Sequence, residues 1–554
     1  MFGGYFLHKQ HINLKRQERQ DRIDELTEYH EPLTAQELEI LNEPAQKTIE
    51  RVQAGEISAV SVIHAYGKRA IEGHKDNNYL TEVMIKDAEK LASSNPKGPL
   101  AGFPISFKDT VNVTGYDSCI GYSKYAFKPA QKDAPLIRLL KDAGAVPFVK
   151  TNVPITLLSF ECYNDIWGTT ENPYVKGYTP GGSTGGESAI LAYGGSRLGI
   201  GTDVAGSVRV PAHFAGIYSI KCSTGRFPKA GNTTSMPGQE GIPPVYSPMT
   251  RSLDDLSFFL KTIIDFKPWN YDYSCHPLPW REVDLPKKLK FGVMYDDGVV
   301  TPSPACARAL DLTIDALKKQ GHEIVTFEPP SPLRALRIAS QLLMSDAGKI
   351  CTRGMLSGES VDVGVWRVAY ASRLPRIFKR IYAWFLEHIY GDKVWAYLVR
   401  DWNEKKITER WDLVYERETY KSEFFEAWKD SEIDFLLSVP NATPALPHKG
   451  LYESMSSCGY TFLFNLLDYT AGVLPVTKVD KTKDQLPAGF NLRKLNRVAQ
   501  GAYVNYDASK MHGLPVGVQI VGQRLEEEKV LKGMKVLDDS LAKNGTVFKH
   551  LNAK

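Results

Sequence analysis

Residues 181–211 set two serines among glycines. Gly-Gly-Ser-Thr-Gly-Gly-Glu-Ser begins at Gly181, and Asp-Val-Ala-Gly-Ser-Val-Arg-Val-Pro runs from Asp203 to Pro211. Glycine permits backbone conformations and close approaches that a Cβ forbids, so Ser183 and Ser207 can each be presented to a ligand with amide N–H groups beside it. A hydroxyl nucleophile with such donors nearby is the equipment of acyl transfer. Upstream, Gly-Phe-Pro-Ile-Ser-Phe-Lys-Asp places Lys108 at the end of the apolar run Phe103–Phe107. Burial there disfavours the charged amine, and a neutral lysine is a competent general base.

The glycines lead into helix-forming apolar sequence, and Asp203 and Arg209 straddle Ser207; a flexible linker needs neither feature. Spacing alone still leaves a structural role for both serines open. Gly181–Gly185 also satisfies G-x-S-x-G, the nucleophile elbow, which requires a strand directly before the serine and a downstream acid and histidine. Residues 171–180, with Pro173, Gly177 and Pro180, read as a loop, while His448 and His512 keep that reading available. No Gly-Lys-Ser/Thr follows the loop, so the phosphate-cradling form is absent.

The elements that must position these residues alternate between strand and helix. Phe103–Phe107, Ala145–Lys150, Leu198–Gly201 and Ile217–Lys221 read as strands, separated by helical stretches at Ala134–Ala143, Glu187–Tyr193 and from Ser207. The texture resumes with strands at 289–294, 323–327, 433–439, 473–479 and 516–521 and helices at 303–319 and 526–541. This predicts an α/β fold: one large domain with a mixed, mostly parallel twisted sheet covered by helices on both faces. Within it we expect a charged N-terminal arm (1–33), a helical lead-in (34–101), a core carrying the motifs (102–330), a helical aromatic-rich insertion or lid (331–430) and the rest of the α/β core (431–554). Thr34 to Glu37 has the form of a capping box. Most aromatic residues of 331–430, such as Trp366, Phe378, Trp384 and Trp402, are expected in helix packing. Arg376, Lys379 and Arg380 beside Phe378, Ile381, Trp384 and Phe385 make an amphipathic basic stretch of the kind that can touch a membrane.

Bulk properties exclude other classes. A net charge of +4 over 554 residues lacks the basic excess of a nucleic-acid binder. The seven cysteines are odd in number and contain no C-x-x-C, which argues against a disulfide framework or a cysteine zinc site and fits a reducing, cytoplasmic setting. No run of about 18 apolar residues marks a membrane span.

These residues resemble the amidase signature family. Its Gly-Gly-Ser-Ser-Gly-Gly segment corresponds to Gly181–Gly186, its Asp-x-Gly-Gly-Ser-x-Arg-x-Pro segment to Asp203–Pro211, and its strand-borne lysine to Lys108. Lys-Thr-Asn-Val-Pro (150–154), Phe-Asn-Leu-Leu-Asp-Tyr (464–469) and Gly-Leu-Pro-Val-Gly-Val-Gln-Ile-Val-Gly (513–522) look like it too. Within the family the chain is most similar to fungal acetamidase-type amidases, with fatty-acid amide hydrolase a more distant relative whose N-terminal membrane helix is missing here.

The resemblance implies hydrolysis of a monocarboxylic acid amide to carboxylate and ammonia, without metal or cofactor, by a Ser–Ser–Lys triad. Ser207 would be acylated. Ser183, on a cis bond after Gly182, would relay the proton to Lys108. Amides from Val204, Ala205, Gly206 and Ser207 would form the oxyanion hole, Asp203 and Arg209 would brace the loop, and Leu157 would line the acyl pocket. Thr184 and Ala205 depart from the family pattern: Thr184 keeps a hydroxyl, and Ala205 must sit at negative φ for the hole to keep its shape. Two alternatives are a lipid-amide hydrolase docking at a membrane through 376–386 and an amidotransferase subunit supplying ammonia to a partner. The partner implied is a small-molecule amide; homodimerisation is left open.

Overall fold

A computed structural model describes residues 2–551. Thirteen strands form in chain order: β1 (Leu80–Val83), β2 (Pro104–Lys108), β3 (Val146–Thr151), β4 (Tyr163–Asn164), β5 (Gly168–Thr169), β6 (Leu198–Asp203), β7 (Tyr218–Lys221), β8 (Val245–Thr250), β9 (Lys290–Val293), β10 (Glu323–Thr326), β11 (Phe435–Ser438), β12 (Ala471–Lys478) and β13 (Pro515–Val521). Eleven of them make one mixed sheet, ordered β1-β3-β2-β6-β8-β7-β12-β13-β11-β9-β10, and β4–β5 is a separate hairpin. Parallel pairing joins β3, β2 and β6 in one block and β10, β9 and β11 in another. Antiparallel pairs link the strands between them. Helices cover the sheet, and one main hydrophobic core runs through the molecule, with three small satellite clusters among the described residues.

The first parallel block positions the chemistry. β2 pairs with β6 through Ser106↔Gly199 and Phe107↔Ile200. Lys108 and Asp203 therefore both stand at the carboxyl ends of neighbouring parallel strands, where open α/β sheets hold their ligands. β8 was not expected; Val-Tyr-Ser-Pro-Met-Thr has no apolar alternation because it is buried on both faces, between β6 and β7. The capping box forms as predicted, with Glu37 N–H on Thr34 Oγ1 and Thr34 N–H on Glu37 Oε2.

Where the sequence reads as a charged arm, Phe2–Asp24 is a helix seated on the body. Lys15 is buried and reaches Glu82 at 2.7 Å and Asp117 at 3.0 Å. His8 is buried between Asp165 (3.3 Å) and Glu359 (3.7 Å). Ion pairs of Lys15 and Arg22, with Ile12 and Ile23 buried beside them, seat this helix; two apolar residues are too few to show a hydrophobic period.

Residues 331–430 are helical, including Val363–Ala371, Arg376–His388, Lys393–Val399 and Ile407–Ser431. Their aromatics differ from the expectation: Trp366, Phe378, Trp384, Phe385, Tyr390 and Trp411 are exposed, and Trp402 is buried. Among the described residues no helix is long and apolar enough to cross a membrane.

Candidate active site

Lys108 is fully buried at the end of β2. Its Nζ lies 2.7 Å from Ser183 Oγ, 3.0 Å from Thr184 Oγ1 and 2.6 Å from Thr202 Oγ1. Burial pushes the amine down to about 7, against the opposing pull of Asp203 and Glu187. The Gly182–Ser183 peptide is cis. A Cβ at Gly182 would stand 2.2 Å from the Glu161 carbonyl oxygen and 2.5 Å from that of Ser159, so only glycine fits. Thr184 accommodates its extra methyl above Gly201, and its Oγ1 donates to the Thr202 carbonyl at 3.2 Å.

The second serine sits on the loop between β6 and the helix Arg209–Ala215. Asp203 and Arg209 make the bracing ion pair, through two bonds of 3.0 and 3.1 Å, with both side chains inaccessible to solvent. Burial alone would raise the Asp203 carboxyl; Arg209 and Asn465 outweigh it and hold it at about 2. Arg209 also donates to Gln519 Oε1, Asn465 Oδ1 and the Thr461 carbonyl. Of the four amides expected to face an oxyanion, that of Gly206 is engaged: it donates to Asp203 Oδ1 at 2.8 Å. Those of Val204, Ala205 and Ser207 have no protein acceptor among the described residues. Ala205 keeps negative φ; Gly206, at φ +129°, takes the left-handed position instead. Thr461 Oγ1 donates to the Ala205 carbonyl at 2.7 Å and fixes the loop from outside.

Two cavities meet at this loop. Ser207, Val204 and Ala205 open onto a narrow one whose walls include Leu336, Val365, Trp402 and Phe462. Ser183 and Thr202 open onto a more polar one of about 1210 Å³, with Lys229, Asn232 and Gln239 on its wall. Leu157, Leu158 and Val204 line both. The nucleophile-elbow alternative fails on geometry. No strand leads directly into Ser183, since β5 ends at Thr169; His448 bonds Glu171 at 2.9 Å, and His512 faces the Val479 carbonyl.

A family model described as amidase matches residues 61–531. The chain belongs to the amidase signature family. It is 33% identical over 522 residues to an acetamidase of Aspergillus oryzae, covering 90% of each chain. It is 32% identical over 507 residues to fatty-acid amide hydrolase 1 of Sus scrofa, covering 90% of this chain and 86% of that one. A solved structure of fatty acid amide hydrolase superposes with a TM-score of 0.84 at 27% identity, covering 97% and 96% of the two chains. As a member of this family the chain is an amide-hydrolysing enzyme.

Sequence reasoning missed Thr202, Thr461, Asn465, Gln519 and Glu187. Thr202 and Glu187 stood inside the motifs but had no distinguishing spacing. Burial pushes the Glu187 carboxyl up to about 8, and it accepts hydrogen bonds from Ser106 and from Thr151 at 2.7 Å. Asn465 and Gln519 lie within segments that resembled the family, yet only the fold brings them to Arg209.

Proposed function

We propose that this amidase hydrolyses a monocarboxylic acid amide through an acyl-serine, with Ser207 as nucleophile, Ser183 as proton relay and Lys108 as base. One observation carries the reading: a fully buried amine held 2.7 Å from the Ser183 hydroxyl. Thr184 spends its own proton on the Thr202 carbonyl, so its oxygen can only accept from Lys108. A neutral amine has two N–H bonds and one lone pair for its three hydroxyl neighbours; when Thr184 and Thr202 take the N–H bonds, the lone pair is left for the Ser183 hydroxyl 2.7 Å away, the arrangement this mechanism requires.

Ser183 then passes its proton to Lys108 as it takes that of Ser207, whose oxygen attacks the amide carbon. Negative charge develops on the carbonyl oxygen, where the amides of Val204, Ala205 and Ser207 can receive it; one such donor contributes about 3–4 kcal/mol in the transition state. The proton returns through Ser183 to the leaving nitrogen, the C–N bond breaks, ammonia departs, and water hydrolyses the acyl-serine by the same relay. The aliphatic and aromatic walls around Ser207 favour an apolar acyl group.

Ser207→Ala is expected to abolish covalent labelling by a fluorophosphonate, read by intact mass. Labelling that persists in Ser207→Ala and disappears in Ser183→Ala would overturn the assignment. Hydrolysis of acetamide, benzamide and oleamide side by side identifies the acyl group.

A second reading, action at a membrane surface on long-chain amides, is favoured by the helix Arg376–His388. Ile377 and Phe378 on it are 60% and 62% exposed. A cavity of about 2070 Å³ beneath this helix shares Trp402 and Met455 with the Ser207 cavity. Co-sedimentation with liposomes, lost on Ile377→Ser/Phe378→Ser, tests it.

A further inference from the structure

The wide cavity contains charge that the reaction described above does not use. Its walls are largely aromatic, with Trp366, Tyr370, Tyr382, Trp395 and Trp402 among them, yet three cations and only one carboxylate line it. Arg367 engages that carboxylate, Glu453, with bonds of 2.8 and 2.7 Å. Lys379 and Arg497 are left without an ion pair among the described residues. Arg497 lies 5.4 Å over the Tyr390 ring.

Lys379 is the less expected of the two, because it is only 5% exposed. Its Nζ donates to the carbonyls of Ser372, at 3.0 Å, and Trp402. Ser372 directly follows the helix Val363–Ala371, and Trp402 lies just beyond Lys393–Val399. A lysine commonly caps the ends of helices in this way, where the backbone dipoles favour a cation. Two carbonyls use two of its three N–H bonds. The third belongs to a side chain on the cavity wall.

We propose that this cavity holds the carboxylate product of amide cleavage, its head group on Lys379 with Arg497 nearby and its chain against the aromatic wall. The inference rests on the reading of Ser207 as the acylated residue. An amide substrate is neutral and gains little from a cation; hydrolysis turns the same acyl chain into an anion. The Ser207 cavity and the wide cavity share Gly364, Trp402, Met455 and Ser456, so the two adjoin at these residues. The charge created by the reaction therefore moves the acyl chain away from the serine and towards the cations. Burial also lowers the Lys379 amine to about 8, so a bound carboxylate would draw it back towards full charge.

The test compares dodecanoate with dodecanol, two ligands that no amidase step consumes, by calorimetric titration of the full chain. Dodecanoate is expected to bind about 10-fold more tightly, the ratio of a single charge-assisted hydrogen bond. Lys379→Met should leave no more than the roughly 3-fold preference that Arg497 supplies, and Lys379→Arg should restore the rest. Arg497→Gln, which disturbs no helix cap, should reduce the preference about 3-fold as one nearby charge is lost; it decides the matter if Lys379→Met fails to fold. Equal binding of the two ligands by the wild-type protein overturns the proposal, as does a preference that survives both substitutions. Failure of amide hydrolysis would strike the reading of Ser207 and leave the titration unaffected, so the two can be told apart.

Discussion

Lys108 gains its usefulness from being in the wrong solvent. With its amine lowered to about 7, kcat/KM should climb as pH rises through that value, because the proton that blocks the lone pair is lost. Lys108→Ala should remove this limb and cost about 10²–10⁴-fold in kcat/KM, measured on a chromogenic amide. Thr202→Val tests the hydrogen count more finely. Thr202 Oγ1 accepts from the amine and so favours its protonated form. Its loss should move the acid limb below 7 while also lowering kcat, since the lone pair is no longer oriented. Ser183, Ser207, Asp203 and Arg209 drew attention through their glycine-rich setting and Lys108 through the apolar run before it, while the roles expected of them came from the family resemblance. Gln519 did not draw attention: it meets Arg209 at 2.8 Å across 310 positions of sequence, and nothing local records that meeting.

Among the elements, the loop after β6 is the most constrained. A Cβ on Gly206 would approach Thr461 Oγ1 to 2.3 Å at a φ of +129°. Gly206→Ala should therefore displace the amides of Val204 to Ser207 and lower kcat about 10²–10³-fold, the loss typical of one oxyanion donor. The turn after β9 carries a pH effect of its own. Asp297 accepts the amides of Val299 and Val300, and burial pushes its carboxyl from 3.8 up to about 7. The folded chain keeps that proton where the unfolded chain gives it up, so this group's stabilisation is complete in acid and is lost as pH rises to about 7. Asp297→Asn should remove that part of the stability–pH slope, read from urea unfolding at several pH values. The alternation of strands and helices was readable from β2 to β7, with boundaries displaced by a residue or two. The exceptions are β1, β8 and the hairpin β4–β5: Thr81 and Glu82 interrupt the apolar run of β1, Ser247 and Pro248 that of β8, and β4 and β5 are two residues each, too short to show a period.

For the whole molecule, the N-terminal helix joins regions far apart in the chain. Lys15→Met would leave Glu82 and Asp117 short of a buried cation and should cost about 3–5 kcal/mol of stability, measured by chemical denaturation. The same helix places Gly4 against Ser357 and His8 beside Glu359, at the approach to the helices that cover the Ser207 cavity. Its partners are synthesised long after it: Glu82 and Asp117 first, Asp165 next, Glu359 last. During translation, at about 5–20 residues per second, the segment must wait tens of seconds with its seat unfinished. A segment made before every one of its partners is thus among the last to dock.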